Sequence, residues 1–222
     1  MASGVSGTKG TVNYIQMSDS EGAALLESNP KWESDADVTQ AIELYSSNTN
    51  PYGNGFSYAQ NLNHNLANDL PLTATEQKID TNLQKGMTAI GKDVQLARFC
   101  HDNILQQLGI SDYSKLSDTE LKQKLVGATF ETTSYLSTSY NGTKSPFAPG
   151  QSKGGGREVY MKINAKKNTK FVPGDKSQAE LVLNKGSKVK VTNVYYDGST
   201  ASPNKIYPKK IPRVVLEVEI SG

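Results

Sequence analysis

The chain has 222 residues, enough to bury one substantial core, and its 24 Lys+Arg against 22 Asp+Glu leave a net charge of only +2. That balance carries no basic field for nucleic acid, and the single cysteine, Cys100, excludes an internal disulfide and a cysteine zinc cluster within one chain. No run of about 18 apolar residues is present to span a bilayer, and the opening MASGVSGTKG has no apolar signal-peptide core, so residues 15–222 read as one soluble domain behind a stretch, 1–14, expected to be disordered or of non-native origin.

Ser18 with Glu21 forms a capping-box pattern ahead of Ala23, Ala24, Leu25 and Leu26, which predicts a short helix stopped at Pro30. A second helix is expected from about Ser34, with Val38, Ala41, Ile42 and Tyr45 on one face, until the turn-forming SSNTNPYGNG ends it. A third is expected over 56–69, closed by Pro71. Thr73 with Glu76 caps a fourth whose Ile79, Leu83, Met87 and Ile90 face inward. These elements predict a helical lobe over 15–92.

The pattern then changes. Residues 94–99 are a short apolar run containing Arg98, and Ser117 with Glu120 caps a helix ending near Val126. From Ala128 onward the signals are strand and turn: 129–130, 135–139, 158–163, 170–172 and 214–220, with a Gly-, Pro- and Ser-rich loop at 142–156. In FVPGDKSQAELVLNKGSKVKVTNVYY, residues 171–196, a strand at 181–183, a Lys185-Gly186 turn and a strand at 188–196 read as a hairpin. A short loop ahead of the first strand holds Gln178 and Glu180, which on extended backbone project to the same side. No internal repeat or heptad appears. The whole predicts an α+β fold with a mainly antiparallel sheet in its second half, 93–222.

Taken singly, the polar residues in this frame are ambiguous. Arg98 is a structural ion pair or an anion ligand, Ser137-Thr138-Ser139 is a polar strand or a site, and Gln178-x-Glu180 is a solvated strand end or a catalytic pair. Their order along the chain is more specific. Gln-x-Glu followed by LVLNKGSKVKV resembles the signature of mono-ADP-ribosyltransferase toxins, which carry Glu- or Gln-x-Glu, an apolar strand, a Gly-Ser turn and a second strand. The residues after Glu180 are similar to the enzymatic components of clostridial iota-like binary toxins, and Gln178 resembles the clostridial Rho-modifying exoenzymes. Arg98, then Ser-Thr-Ser at 137–139, then Gln178-x-Glu180 matches the family's order and spacing.

The resemblance implies the ADP-ribosyltransferase fold, a helical lobe packed on a mainly antiparallel two-sheet β core. It also implies NAD as co-substrate, without metal, cleaved at the nicotinamide–ribose bond. Arg98 then holds the pyrophosphate with its fork of donors. Ser137 and Ser139 orient the catalytic carboxylate and, with Thr138, line the NAD site. Glu180 stabilises the oxocarbenium-like cation, as a carboxylate does in glycoside hydrolysis. Gln178 recognises the acceptor, and since its amide both donates and accepts, an Asn or Gln of a protein partner is expected, a small GTPase of the Rho type being the first candidate. Phe147 stacks on nicotinamide or packs in the core. The family's Arg just beyond is replaced by Pro149 and Gly150, and Arg157 either takes its place or is an ordinary strand-start charge. Tyr45 covers the adenosine side or is core. The segment before Gln178 is short and lacks the Rho-modifying enzymes' aromatic residue. His64 and His101 are too few for a metal site, and Cys100 reads as an inert thiol.

The implied protein is a monomer, secreted by a bacterium and acting in host cytosol. Three rivals stay open on the sequence: an NAD glycohydrolase, an arginine-specific transferase, and a non-enzymatic secreted or phage-particle binding module.

Overall fold

The computed structural model describes residues 14–27, 29–151, 156–202 and 210–222; the expectation for 1–14 falls, Tyr14 apart, outside them. A short strand β1 (Ile15–Gln16) leads into helices α1 (Asp19–Glu27), α2 (Pro30–Glu33), α3 (Ala36–Ser46), α4 (Tyr58–Ala67) and α5 (Ala74–Gly86). Their starts follow local chemistry. Ser18 and Glu21 cap α1 reciprocally, Asp35 accepts from the Asp37 and Val38 amides, and Ser57 with Gln60 and Thr73 with Glu76 close full capping boxes. Pro30 ends the first helix as expected but also opens the next, since its missing N–H costs nothing at a first helical position.

The second half carries β2 (Thr88–Ala89), β3 (Val94–Cys100), α6 (Asn103–Gln107), α7 (Asp118–Leu125), β4 (Thr129–Glu131), β5 (Leu136–Ser139), β6 (Val159–Ala165), β7 (Lys170–Pro173), β8 (Glu180–Leu183), β9 (Lys188–Ala201) and β10 (Ile211–Ser221). Hydrogen bonds link the strands in the order β2-β7-β8-β5-β3-β6-β10-β9-β4, with β1 beside β3. Pairing is antiparallel except at β1–β3 and β6–β10. The two expected halves of the β core meet where β3 and β5 share only the pair Ala97–Ser139. That single ladder pair marks the junction of the halves, and the cleft described below is lined from both sides of it.

Two apolar clusters flank this β core. Ala41, Tyr45, Leu62, Ile79, Leu83 and Met87 of the helical lobe meet Tyr135, Val172 and Val182. Leu181 and Leu183, one step away along β8, join the larger cluster with Leu96, Ile163 and Leu216. Alternate β8 residues therefore serve opposite faces, which is why the strand is apolar throughout 181–183. α3 and α5 lie close because Gly86 faces Val38, where a β-carbon would come within 2.7 Å, and Trp32 Nε1 donates to the Gly86 carbonyl at 2.8 Å.

Two expectations about these elements fail, the first because the fourth helix stops at Gly86, which leaves Met87 and Ile90 buried but beyond its end. The strands flanking Lys185-Gly186 are both present, but they form no hairpin: β8 pairs with β5 and β7, whereas β9 pairs with β10 and β4. The turn is instead a crossing between the halves. Gly186 takes φ +75° while its amide donates to the Thr132 carbonyl at 2.6 Å and that of Ser187 to Thr132 Oγ1 at 3.1 Å. This third segment outcompetes direct β8–β9 pairing.

Candidate active site

β3, β5 and β8 bring their polar residues to one cleft of about 620 Å³, within the usual range for small-molecule sites. Arg98, Ser137, Thr138, Ser139, Phe147, Gln178, Glu180 and Tyr45 all line it, as does Arg157. All eight residues expected from sequence therefore converge, and a ninth joins them.

Arg98 projects from β3 across the junction of the halves, and its Nη1 donates to the Ser137 carbonyl at 2.5 Å. Ser137 lies opposite Val182 and Ser139 opposite Glu180, so the Ser-Thr-Ser strand runs alongside the start of β8. Buried Thr138 donates its hydroxyl to the Leu181 carbonyl at 2.8 Å, which braces β5 against β8 and engages the group expected to meet NAD. The Ser139 hydroxyl lies 2.7 Å from the Asn141 carbonyl and 2.8 Å from that of Gln178, tying the loop before Glu180 to β5.

That loop departs from the extended geometry expected of Gln178-x-Glu180. Gln178 closes a 3₁₀ turn (Lys176–Gln178), Ala179 follows in the left-handed region at φ +54°, and only then does β8 begin. Gln178 and Glu180 thus share the cleft because of a tight turn, and strand alternation plays no part. A left-handed alanine is uncommon and sits above the relaxed backbone in energy. Here it is fully buried, with its amide donating to Lys176 and its carbonyl accepting from Tyr140, both at 3.1 Å.

Glu180 is held from below. Its Oε2 accepts from the Asp175 amide at 2.8 Å, and its own amide donates to the Asp175 carbonyl at 3.1 Å. The side chain lies across Gly174 so closely that a β-carbon there would come within 2.2 Å of Oε2. Neither Asp175 nor Gly174 stands out in the sequence, where Pro-Gly-Asp registers only as turn chemistry.

Tyr45 is 3% exposed and reaches the cleft from α3. Burial pushes its hydroxyl up to about 12, with Glu180 adding to the rise, while hydrogen bonds from Asn63 and Ser137 and the charge of Arg98 oppose it. Asn63 donates to this hydroxyl at 2.8 Å and accepts from the Tyr135 amide at 3.1 Å, joining α4 to the entry of β5. Tyr45 therefore stands beside Ser137 and Glu180 as a buried bracket in the wall of the cleft.

Arg157 is more than a strand-start charge. Its guanidinium lies 4.1 Å from the centre of the Phe147 ring, and burial followed by the neighbouring charge of Arg98 lowers its proton affinity. Two guanidiniums sharing one cleft repel each other, an arrangement suited to an anion between them. Cys100 also lines the cleft, but burial pushes its thiol up to about 11 despite Arg98 and Arg157, so it is a poor nucleophile at neutral pH. His101 pairs with Glu158 at 2.8 Å, and among the described residues no group of three or more His, Cys, Asp or Glu is placed to hold a metal ion. No described helix is long and apolar enough to cross a membrane.

A helical lobe against a β core, with an Arg strand, a Ser-Thr-Ser strand and a Gln-x-Glu turn meeting at one cleft, defines a class of NAD-using transferase. The sequence model of the ADP-ribosyltransferase exoenzyme family matches residues 30–210, and the chain belongs to that family of enzymes. Solved structures share the fold at low identity. The ADP-ribosylating toxin of a Clostridium perfringens binary enterotoxin, determined with NADH, is 14% identical with a TM-score of 0.63 over 90% of this chain and 47% of its own. An ADP-ribosyltransferase of Clostridium botulinum is 15% identical with a TM-score of 0.61 over 95% and 100%. The C3 exoenzyme of Clostridium limosum is 16% identical with a TM-score of 0.62 over 95% and 98%. The chain thus spans about half the length of the binary-toxin component and nearly all of the other two enzymes. A comparison with curated proteins gives no match.

Proposed function

We propose that the chain transfers ADP-ribose from NAD to the side-chain amide of an Asn or Gln on a protein partner, releasing nicotinamide. The observation that carries this reading is a carboxylate, Glu180, locked to the Asp175 amide at 2.8 Å and facing the same cleft as two guanidiniums, Arg98 and Arg157. The guanidiniums fit the pyrophosphate, Phe147 backed by Arg157 offers a ring face for nicotinamide, and Glu180 supplies negative charge where the ribose cation develops. Glu180 also accepts from the ribose 2′-hydroxyl, and Gln178 meets the acceptor. Arg157 is the natural stand-in for the arginine that Pro149 and Gly150 displace.

A protein made by a bacterium and acting inside a host cell fits this chemistry, and the amide at position 178 makes a Rho-type GTPase the first acceptor to test. Labelling a lysate with tagged NAD, then mapping the modified residue, tests the reading. ADP-ribose on an Asn or Gln supports it; ADP-ribose on arginine would sink the amide-acceptor part, NAD hydrolysis without labelling would indicate a glycohydrolase, and neither activity would leave a binding module.

Two substitutions divide the site. Arg98→Ala is expected to weaken NAD binding roughly 10- to 100-fold, the worth of a charged hydrogen bond, because a phosphate contact is made in ground and transition states alike. Equilibrium NAD titration measures it, and undiminished affinity would mean that Arg98 is not the phosphate ligand. Gln178→Ala is expected to cut protein labelling by at least about tenfold, as loss of one oriented contact does, with the larger part of NAD hydrolysis retained. Comparing nicotinamide release with and without acceptor reads the two apart.

A further inference from the structure

One residue, Asp175, is the hub of the 175–180 loop. Its amide donates to Glu180 Oε2 at 2.8 Å, and its carbonyl accepts from the Gln178 amide at 3.0 Å and the Glu180 amide at 3.1 Å. Its carboxylate divides its two oxygens. Oδ1 caps the 3₁₀ turn by accepting from the Ser177 amide at 2.8 Å and the Ser177 hydroxyl at 2.6 Å, whereas Oδ2 accepts from Gln178 Nε2 at 2.7 Å.

Because a carboxylate in this network only accepts, the Gln178 group that faces it has to be the NH₂, which settles which way round the amide stands. Gln178 Oε1 then has no hydrogen-bond partner among the described residues, on a side chain that lines the cleft. A hydrogen bond to a charged acceptor polarises the amide behind it and makes its oxygen the stronger acceptor. The hydrogen bonds that converge on Asp175 outweigh its burial and hold its carboxyl below the usual range, so the group stays an acceptor.

We propose that Asp175 is a positioning residue for acceptor recognition: it sets the polarity of Gln178, so that the amide meets the incoming side chain with its oxygen and selects a nitrogen acceptor bearing an N–H. This rests on the transferase reading above. Asp175 touches neither NAD nor acceptor; it acts through Gln178 with its side chain and through Glu180 with its main chain, so the two effects can be separated by substitution.

The test is Asp175→Asn in the full chain, assayed with biotin-tagged NAD on the lysate protein that the wild type labels, beside nicotinamide release without acceptor. The substitution keeps a capping oxygen for Ser177 and the main-chain contact to Glu180, but it sets a donor where Oδ2 stood. Two donors then face each other, and the Gln178 amide turns over. Protein labelling is expected to fall by at least about tenfold while hydrolysis falls by less than about threefold. The double variant Asp175→Asn with Gln178→Glu restores labelling, since one oxygen of the new carboxylate accepts from the new amide and the other is presented to the acceptor.

Equal loss of both activities, no loss of labelling, or loss without rescue each overturns the proposal. Should Asp175→Asn lose its melting transition, Asp175→Ser, which retains a capping oxygen but nothing in place of Oδ2, is read for the same split. A wild-type chain that neither hydrolyses NAD nor labels protein instead overturns the transferase reading, and this inference with it.

Discussion

Glu180→Gln is expected to lower protein ADP-ribosylation by about 10²- to 10³-fold, the usual loss when one preorganised electrostatic group is removed from an active site. The amide is nearly isosteric and its oxygen can still accept from the Asp175 amide, so the turn that carries it persists. Removed is the full negative charge aimed at the ribose cation, an interaction that strengthens only as the nicotinamide bond breaks. The effect therefore falls on turnover, with NAD affinity changed by less than about tenfold. Single-turnover nicotinamide release at saturating NAD, beside an NAD titration, measures both. Retention of more than about a third of wild-type turnover, against the loss such groups ordinarily show, would remove Glu180 from the catalytic role.

Much of this site was legible because its signals are local or ordered along the chain. Ser18/Glu21, Thr73/Glu76 and Ser117/Glu120 place three helix starts within a residue or two, since a capping box needs only its own turn. Arg98, Ser137 and Glu180 are marked by the resemblance of their order and spacing to the ADP-ribosyltransferase toxins, and all three line the cleft. What escaped depends on partners distant in sequence. The β8–β9 hairpin failed because Thr132 occupies the turn, and nothing in Lys185-Gly186 reports that. Nor does alanine announce a left-handed φ, so the loop from Gln178 to Glu180 reads as extended backbone where the chain turns at Ala179. Arg157 looks ordinary until Phe147 and Arg98 are placed against it. α6 was missed because five residues give no periodic pattern.

Gly174→Ala is the second large expected effect, and it separates activity from stability. Gly174 has no need of glycine's conformational freedom, because its φ lies outside the positive range. What it provides is room: a methyl there would come within 2.2 Å of Glu180 Oε2, 2.5 Å of Cδ and 2.7 Å of Cγ. Because Cγ is crowded as well, the whole Glu180 side chain has to rotate about χ1, which takes the carboxylate off the Asp175 amide and leaves little strain in the backbone. Folding is expected to lose about 1 kcal/mol, the worth of the surrendered hydrogen bond, and the melting temperature to drop by only a few degrees. Turnover is expected to fall by about 10²-fold, because a carboxylate displaced by about 1 Å no longer sits where the cation develops. Calorimetry and nicotinamide release on the same sample check the two halves. Full activity with a lowered melting temperature would mean that Glu180 works from another rotamer, and that its hold on Asp175 serves the fold alone.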